Sequence, residues 1–386
     1  MIPYGRQEIT DTDIAEVKKV LRSDFLTQGP IVPKFEKAMT NYCGASYAIA
    51  ANSATSALHI ACLALDLGPQ DLLWTSPNTF VASANCGRYC GADIDFVDID
   101  PNTYNMSVDA LSEKLIRAKK LGKLPKVVVP VHFAGQPCDM IKIHELSKHY
   151  GFKTIEDASH AVGASYNEFK VGSCAYSDIT VFSFHPVKII TTAEGGMALT
   201  NDKSIADKIS RLRTHGITND KDKMKQRPKN EIWNYQQIDL GFNYRMNDIE
   251  ASLGSSQITN VSKWISIRNS IAKKYIKNLK NLPISFQNVD KNNLSSYHLF
   301  IIQIKSKNKN INRNKLFYKM KSKGINVNVH YIPIYRHSFY KRMGFNKNHF
   351  ENSEYYYKHC LSLPIYPSLT NKDFNKIIKV LRNYLI

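Results

Sequence analysis

The chain has 386 residues, 43% of them hydrophobic, and a formal net charge of +19. That length exceeds one ordinary core, and the composition excludes a disordered chain and, with no uncharged apolar run of spanning length, a membrane-embedded one. The charge is uneven: residues 1–200 hold 18 Lys and Arg against 21 Asp and Glu, and residues 201–386 hold 34 against 12.

The basic half is rich in Lys and Asn but has neither aromatic interleaving nor a nucleic-acid motif, so a small anionic ligand such as a nucleotide is expected rather than a nucleic acid. Met1–Glu8 shows no basic region followed by an apolar run, which predicts a cytoplasmic protein. The seven cysteines, Cys43, Cys62, Cys86, Cys90, Cys138, Cys174 and Cys360, are odd in number and scattered through apolar segments. They predict reduced core thiols, and with no second pair or histidine cluster beside Cys86 and Cys90, no metal is expected.

Residues 11–22 predict a helix opened by acidic side chains, with Ile14, Val17, Val20 and Leu21 on one face. Leu26–Pro30 predicts a polar turn, and residues 33–42 a second helix with Pro33 in its first turn and Phe35, Ala38 and Met39 inward. Tyr47–Ala61 reads as a short strand, a turn of small polar residues and a small-residue helix. The first turn of a helix carries unpaired amides and the positive end of its dipole, so this turn suits a phosphate, although on spacing alone an ordinary cap by Asn52 or Ser53 is the favoured reading.

Strand and helix then alternate: a strand at Leu72–Thr75, a small-residue helix through Ala84, a strand at Asp95–Ile99, a helix over 107–119, and the apolar run Lys126–Val131. Helix Met140–Tyr150 and strand Phe152–Asp157 follow, then strand Asp178–Phe184, strand Met197–Thr200 and helix Ser204–Thr214. This pattern predicts a doubly wound, mostly parallel sheet with ligand sites at the carboxyl ends of its strands. Residues 218–230 predict a charged loop. A long helix running to about residue 280 is expected to open a small α+β domain with a strand at Tyr297–Ile304, a helix at Asn312–Lys323, a strand at Val327–Tyr331, and helices at Glu351–His359 and Lys372–Tyr384. The expected domains are 1–248 and 249–386.

One lysine stands out. Val181–Gly196 carries a β-prone apolar start, then Pro186, Lys188 and the pair Gly195-Gly196. A lysine among apolar neighbours must snorkel, pair or lose its charge, and one use of a lowered pKa is to free the amine as a nucleophile. Alone, the stretch reads first as a surface lysine on a turn after a strand, the commoner case. Its place at a strand's carboxyl end, on the same sheet edge as Asp157, favours the chemical reading.

Several stretches, in matching order, resemble the DegT/DnrJ/EryC1/StrS family of sugar aminotransferases: Asn52-Ser53-Ala54-Thr55, Asn78-Thr79-Phe80, Glu156-Asp157-Ala158-Ser159-His160-Ala161, Ser183-Phe184-His185-Pro186-Val187-Lys188, Glu194-Gly195-Gly196 and Gly241-Phe242-Asn243-Tyr244-Arg245-Met246. The resemblance covers almost the whole chain. It implies the type I fold of pyridoxal-5'-phosphate (PLP) transferases, with Lys188 holding the cofactor covalently and shuttling a proton, and Asp157 pairing with its pyridine nitrogen. By the same resemblance the amides of Ala54 and Thr55 and the hydroxyl of Ser183 would bind the phosphate, Phe80 would stack on the ring, and His160 would sit by its phenolic oxygen, a purely structural hydrogen-bonding histidine being the equal alternative. Asn243 would reach the phosphate of a neighbouring subunit, which implies a homodimer with shared sites. Family relatives with histidine at the lysine position are dehydrases, so Lys188 favours transamination.

Within the family the chain particularly resembles the branch that aminates a UDP-linked 4-keto-6-deoxy-N-acetylhexosamine, with L-glutamate as donor and 2-oxoglutarate as co-product, on the way to pseudaminic acid. From position, Tyr4, Arg6, Thr27, Gln28, Gly29, His330, Tyr331, Arg336 and the loop around Lys221–Lys229 are candidates to hold the nucleotide sugar. A different nucleotide-linked keto sugar, or a non-catalytic regulator with the same fold, are the alternatives.

Overall fold

A computed structural model describes residues 1–224, 230–308 and 310–386. Seven strands make the main sheet: β1 (Tyr47–Ala51), β2 (Leu72–Thr75), β3 (Asp93–Phe96), β4 (Val127–Val129), β5 (Lys153–Asp157), β6 (Ile179–Ser183) and β7 (Gly196–Thr200). Their order is β1-β7-β6-β5-β4-β2-β3. The five strands from β6 to β3 pair in parallel, whereas β7 runs antiparallel to both β1 and β6. The parallel strands are continuous apolar runs because both faces are covered. Val127 and Val129 face a core shared with the helices Ala54–Ala64 (α1) and Ala82–Tyr89 (α2), and Val128 faces a second core built with the helices Val108–Lys120 and Met140–Tyr150. All seven cysteines are free and buried.

A third core forms around a three-stranded antiparallel sheet of Ile284–Phe286, Phe300–Ile304 and Cys360–Leu363. It is covered by the helices Arg313–Ser322 and Asn371–Leu385 and also takes in Ile2. The helix Val261–Leu279 serves two cores. Its Val261, Trp264 and Ile265 pack with the main-sheet residues Phe182, Met197 and Leu199, and its Ile271, Ala272, Tyr275 and Leu279 pack with Phe300 and Ile302.

The elements depart from the sequence reading in four places. The expected long helix is two, Asp248–Gln257 and Val261–Leu279, separated by a 3-10 turn at Ile258–Asn260 where the Thr259 hydroxyl donates to the Ser256 carbonyl. Val327–Tyr331 forms no strand beyond a single bridge from Asn328 to Ser362, because the Asn328 side chain takes the Val329 amide. The strand expected at Asp95–Ile99 sits at Asp93–Phe96. Asp98 beyond it instead accepts from the amides of Asn352 and Ser353 at the start of the helix Glu351–His359. Finally, the first helix, Asp11–Leu21, turns Ile14 and Leu21 outward, each 57% exposed. It docks instead through Val20 and the fully buried Asp13, whose carboxylate accepts from Gln257 Nε2 at 2.7 Å.

Candidate active site

A cavity of about 810 Å³ opens at the carboxyl ends of β5 and β6. Asp157 is the last residue of β5. Its backbone is pinned by Asp157 N donating to Pro130 O (2.9 Å) and Asp157 O accepting from His132 N (3.1 Å). Its carboxylate is aimed by three donors: Ser83 Oγ at 2.6 Å on one oxygen, and Ser159 N (3.1 Å) and Oγ (2.6 Å) on the other. Thr79 Oγ1 lies 2.9 Å from Ser83 Oγ, so α2 and β5 share one hydrogen-bonded chain. On the opposite face of β5, Glu156 is buried with His132 Nε2 at 2.5 Å and hydroxyls of Ser177 and Thr180. Burial would raise this carboxyl, but those donors hold it below the usual carboxylate range.

Lys188 follows β6 on a turn closed by its own amide donating to His185 O (2.9 Å). Buried Ile189 and Ile190 anchor the chain on its far side, and Thr191 Oγ1 donates back to Phe184 O. The amine therefore projects into the cavity from a fixed backbone. Burial lowers its pKa to about 8, against the raising influence of Asp157.

The third component is the start of α1. Ser53 caps the helix by accepting from Ser56 N, while the amides of Ala54 and Thr55 have no acceptor among the described residues. Gly196 makes this approach possible. A Cβ there would lie 2.5 Å from Ala54 Cα and collide with its amide nitrogen, so only glycine lets β7 pass the helix start.

Ala54, Thr55, Phe80, Asp157, His160, Ser183 and Lys188 all line this one cavity, as do Tyr4, His330 and Tyr331. Phe80 stands at its lip, 59% exposed. His160 uses both ring nitrogens within the protein, accepting from Ala134 N at Nδ1 (3.3 Å) and meeting Tyr331 Oη at Nε2 (3.1 Å).

Other expected residues lie elsewhere. Arg6, Thr27, Gln28 and Gly29 do not line the cavity, and Arg6, Thr27 and Gln28 are exposed. Arg336 is committed to Glu354, with Nε donating to Oε1 at 2.7 Å and Nη2 bonding Oε2, and stacks near the Tyr357 ring. Asn243 is exposed outside the cavity. Of the basic loop, Lys221 and Lys223 are exposed, and residues 225–229 lie outside the described residues. Sequence reasoning missed Ser83 and Ser159, which aim Asp157, and Glu194, Asn328 and His337, which line the cavity. Ser159 lies within the Glu156–Ala161 block and was within reach of a motif argument. Ser83 and Asn328 arrive only through tertiary packing.

A buried amine of lowered pKa, an aimed carboxylate and a phosphate-ready helix start on one cavity are the parts of an enzyme that handles a phosphorylated electron-sink cofactor. Residues 7–382 match the DegT/DnrJ/EryC1/StrS aminotransferase family, and the chain belongs to it. It is 36% identical over 375 residues to the UDP-4-amino-4,6-dideoxy-N-acetyl-beta-L-altrosamine transaminase of Campylobacter jejuni (97% of this chain, 94% of that one). Among solved structures, Helicobacter pylori PseC, an aminotransferase of pseudoaminic acid biosynthesis, superposes with a TM-score of 0.89 at 29% identity, covering 100% of this chain and 99% of that one. Spr1654 of Streptococcus pneumoniae, in its PLP form, superposes with a TM-score of 0.87 at 26% identity over 100% of both chains. The family depends on PLP, and the donor set here suits that group: two orphan amides and a hydroxyl for a phosphate, a carboxylate for a protonated ring nitrogen, and an amine for an aldehyde.

Proposed function

We propose that this chain transfers the amino group of L-glutamate to C4 of UDP-2-acetamido-2,6-dideoxy-β-L-arabino-hexos-4-ulose, releasing 2-oxoglutarate, in pseudaminic acid biosynthesis. The observation that carries the aminotransferase reading is Lys188, its amine lowered to about 8 in a cavity shared with Asp157. The sugar is favoured by the likeness to the Campylobacter transaminase and to PseC. When bound, PLP supplies an electron sink and a carrier for the amino group between the two substrates.

The rest of the chemistry belongs to the chain's own residues. Ala54 N, Thr55 N and Ser183 Oγ would hold the phosphate, and Asp157, fixed by Ser83 and Ser159, would pair with the ring nitrogen. Lys188 Nζ is the amine that would bind the cofactor's aldehyde and would serve as the base that takes up and returns a proton. Phe80 would cover the ring, and Tyr4, His330 and Tyr331, which line the cavity, would border the sugar.

The proposal extends to a homodimer. Asn243 is exposed outside its own cavity, and the chain leading to it exposes Trp233 (73%), Tyr235 (63%) and Leu240 (83%), an apolar area suited to burial against a second copy. We place the enzyme in the cytoplasm. Among the described residues no helix is long and apolar enough to cross a membrane.

Borohydride reduction of the yellow holoenzyme should leave a pyridoxyl group on the peptide carrying Lys188. A label on another residue, or on none, refutes the role of Lys188. Glutamate supplied with UDP-4-keto-6-deoxy sugars of both C5 configurations should yield 2-oxoglutarate with the L-arabino form, and no product from that form sinks the sugar assignment. Mixed Lys188→Ala and Asn243→Ala subunits should regain turnover as heterodimers, and separate sites would leave the mixture inactive.

A further inference from the structure

We propose that Gln257 is the positioning residue that sets Lys188 in the cavity: it tethers the loop carrying the lysine to the N-terminal segment through Asp13. The placing of the amine stands on geometry alone, and its consequence for turnover rests on the aminotransferase reading.

Residues 184–195 connect β6 to β7, and their hydrogen bonds mostly close the loop on itself. Phe184 N donates to Gly195 O (2.9 Å), while Thr192 N and Thr191 Oγ1 both donate to Phe184 O (3.0 Å each). Among the described residues a single hydrogen bond leaves this loop for the rest of the protein: Thr191 N donates to Gln257 Oε1 at 3.3 Å. Thr191 is buried and stands three residues beyond Lys188, so a shift there moves the backbone that carries the amine.

Gln257 is 1% exposed, and its amide has one orientation. Thr191 N can only donate and faces the oxygen. The Glu8 carbonyl (2.8 Å) and the Asp13 carboxylate (2.7 Å) accept, and they take both protons of the nitrogen. Asp13 is itself fully buried, and the Thr10 amide donates to the same carboxylate oxygen at 2.8 Å. A hydrogen bond to a charged acceptor is stronger than one between neutral groups, so Asp13 fixes Gln257 more firmly than Gln257 holds Thr191.

The packing runs along the same line. Gly254, one turn before Gln257, lets the helix Asp248–Gln257 lie against the loop, because a Cβ there would stand 2.8 Å from Thr192 Cγ2. In the other direction, Glu8 continues the segment in which Tyr4 lines the cavity and Gly5 passes Val187, whose Cβ would lie 4.0 Å from a Cβ at Gly5. One amide therefore joins the lysine loop to the segment that runs beside it.

The test reads the lysine in the cofactor-free full-length protein, where no turnover is needed. Labelling of the Lys188 peptide by trinitrobenzenesulfonate should have its midpoint near pH 8 in the wild type. Gln257→Met fills similar space but releases Thr191, so the loop should admit water to the amine and the midpoint should rise by about one pH unit. Gln257→Asn is a methylene short of Thr191 and still polar toward Asp13. It should raise the midpoint as far, and it serves if the methionine variant does not fold. Asp13→Ala should raise it by less, and in the Gln257→Met background should add nothing, because the tether is already cut. Ser252→Ala removes a bond within the same helix, from Ser252 Oγ to Ile249 O, and should leave the midpoint at its wild-type value. In the holoenzyme Gln257→Met should lower kcat roughly tenfold, with KM for both substrates unmoved. A wild-type midpoint in the Gln257 variants, an equal shift in Ser252→Ala, or additive effects of Gln257→Met and Asp13→Ala overturns the proposal. A wild-type protein that turns over no nucleotide-linked keto sugar overturns the functional reading, while the labelling midpoints judge the tether by themselves.

Discussion

The sheet side of the cavity and the side contributed by residues 328–337 are built on different principles. On the sheet side, Asp157 and Ser183 end strands and Ala54 and Thr55 begin a helix. The position of each group follows from regular backbone, and Lys188 stands one short turn beyond β6. On the other side Asn328, His330, Tyr331 and His337 come from a stretch with a single bridge to the neighbouring sheet and a 3-10 turn at Ile334–Arg336. Side-chain bonds hold these groups: His330 Nδ1 lies 2.8 Å from Ser362 Oγ, and Tyr331 meets His160. Regular backbone thus fixes Asp157, Ser183, Ala54 and Thr55, and irregular backbone carries Asn328, His330, Tyr331 and His337.

Substitutions on the two sides should separate accordingly. The largest effect is expected from Lys188→Ala, which removes the amine and should reduce turnover by roughly 10⁴-fold or more. In the cofactor-free protein the same amine should react with trinitrobenzenesulfonate with a midpoint near pH 8. The sign is set by burial: a lowered folded pKa leaves the amine unprotonated earlier, and from that group stability rises with pH between the folded value and the unfolded lysine's, a slope that Lys188→Met should abolish. Next comes Gly196→Ala. Its Cβ would strike the start of α1, so we expect about 1–3 kcal/mol lost in thermal or denaturant unfolding, with PLP retained poorly on gel filtration. Ser83→Ala removes one charge-assisted donor to Asp157 and should lower kcat roughly tenfold without unfolding the protein. The smallest effect belongs to the other side. Arg336→Ala breaks a pair with Glu354 that is partly exposed, so KM for the nucleotide sugar should stay at its wild-type value and stability should fall by about 1 kcal/mol or less. A large rise in that KM would erase the distinction between the two sides.

The same contrast governs how much was legible in the sequence. Alternating apolar runs and helical periodicities locate the sheet, and with it the edge where Asp157 and Lys188 meet, because parallel strands buried on both faces leave a continuous apolar signature. The antiparallel β7 was not legible, since its run Met197–Thr200 looks like its neighbours'. Ser83 and Asn328 carried no local signal, because their roles depend on residues 74 positions away at Asp157 and on the Ser362 bridge. Arg336 looked like a free cation near His330 in sequence, and only the fold brings Glu354 to it. Ile14 and Leu21 followed helical periodicity but met no core within the chain, as periodicity reports an apolar face without naming its cover.

One helix ties the molecule together mechanically. Val261–Leu279 lends its first turns to the core beneath the main sheet and its last turns to the core of the three-stranded sheet, and Gly163 admits Val261 and Ile265 so closely that a Cβ there would lie 2.7 Å from each. Neither core is complete without this rod, so cutting the chain at residue 248 would strip both. Heat or denaturant should therefore melt them in one transition, and a hydrogen-exchange map should show the middle of the helix protected to the same free energy as β5 and the strand Phe300–Ile304.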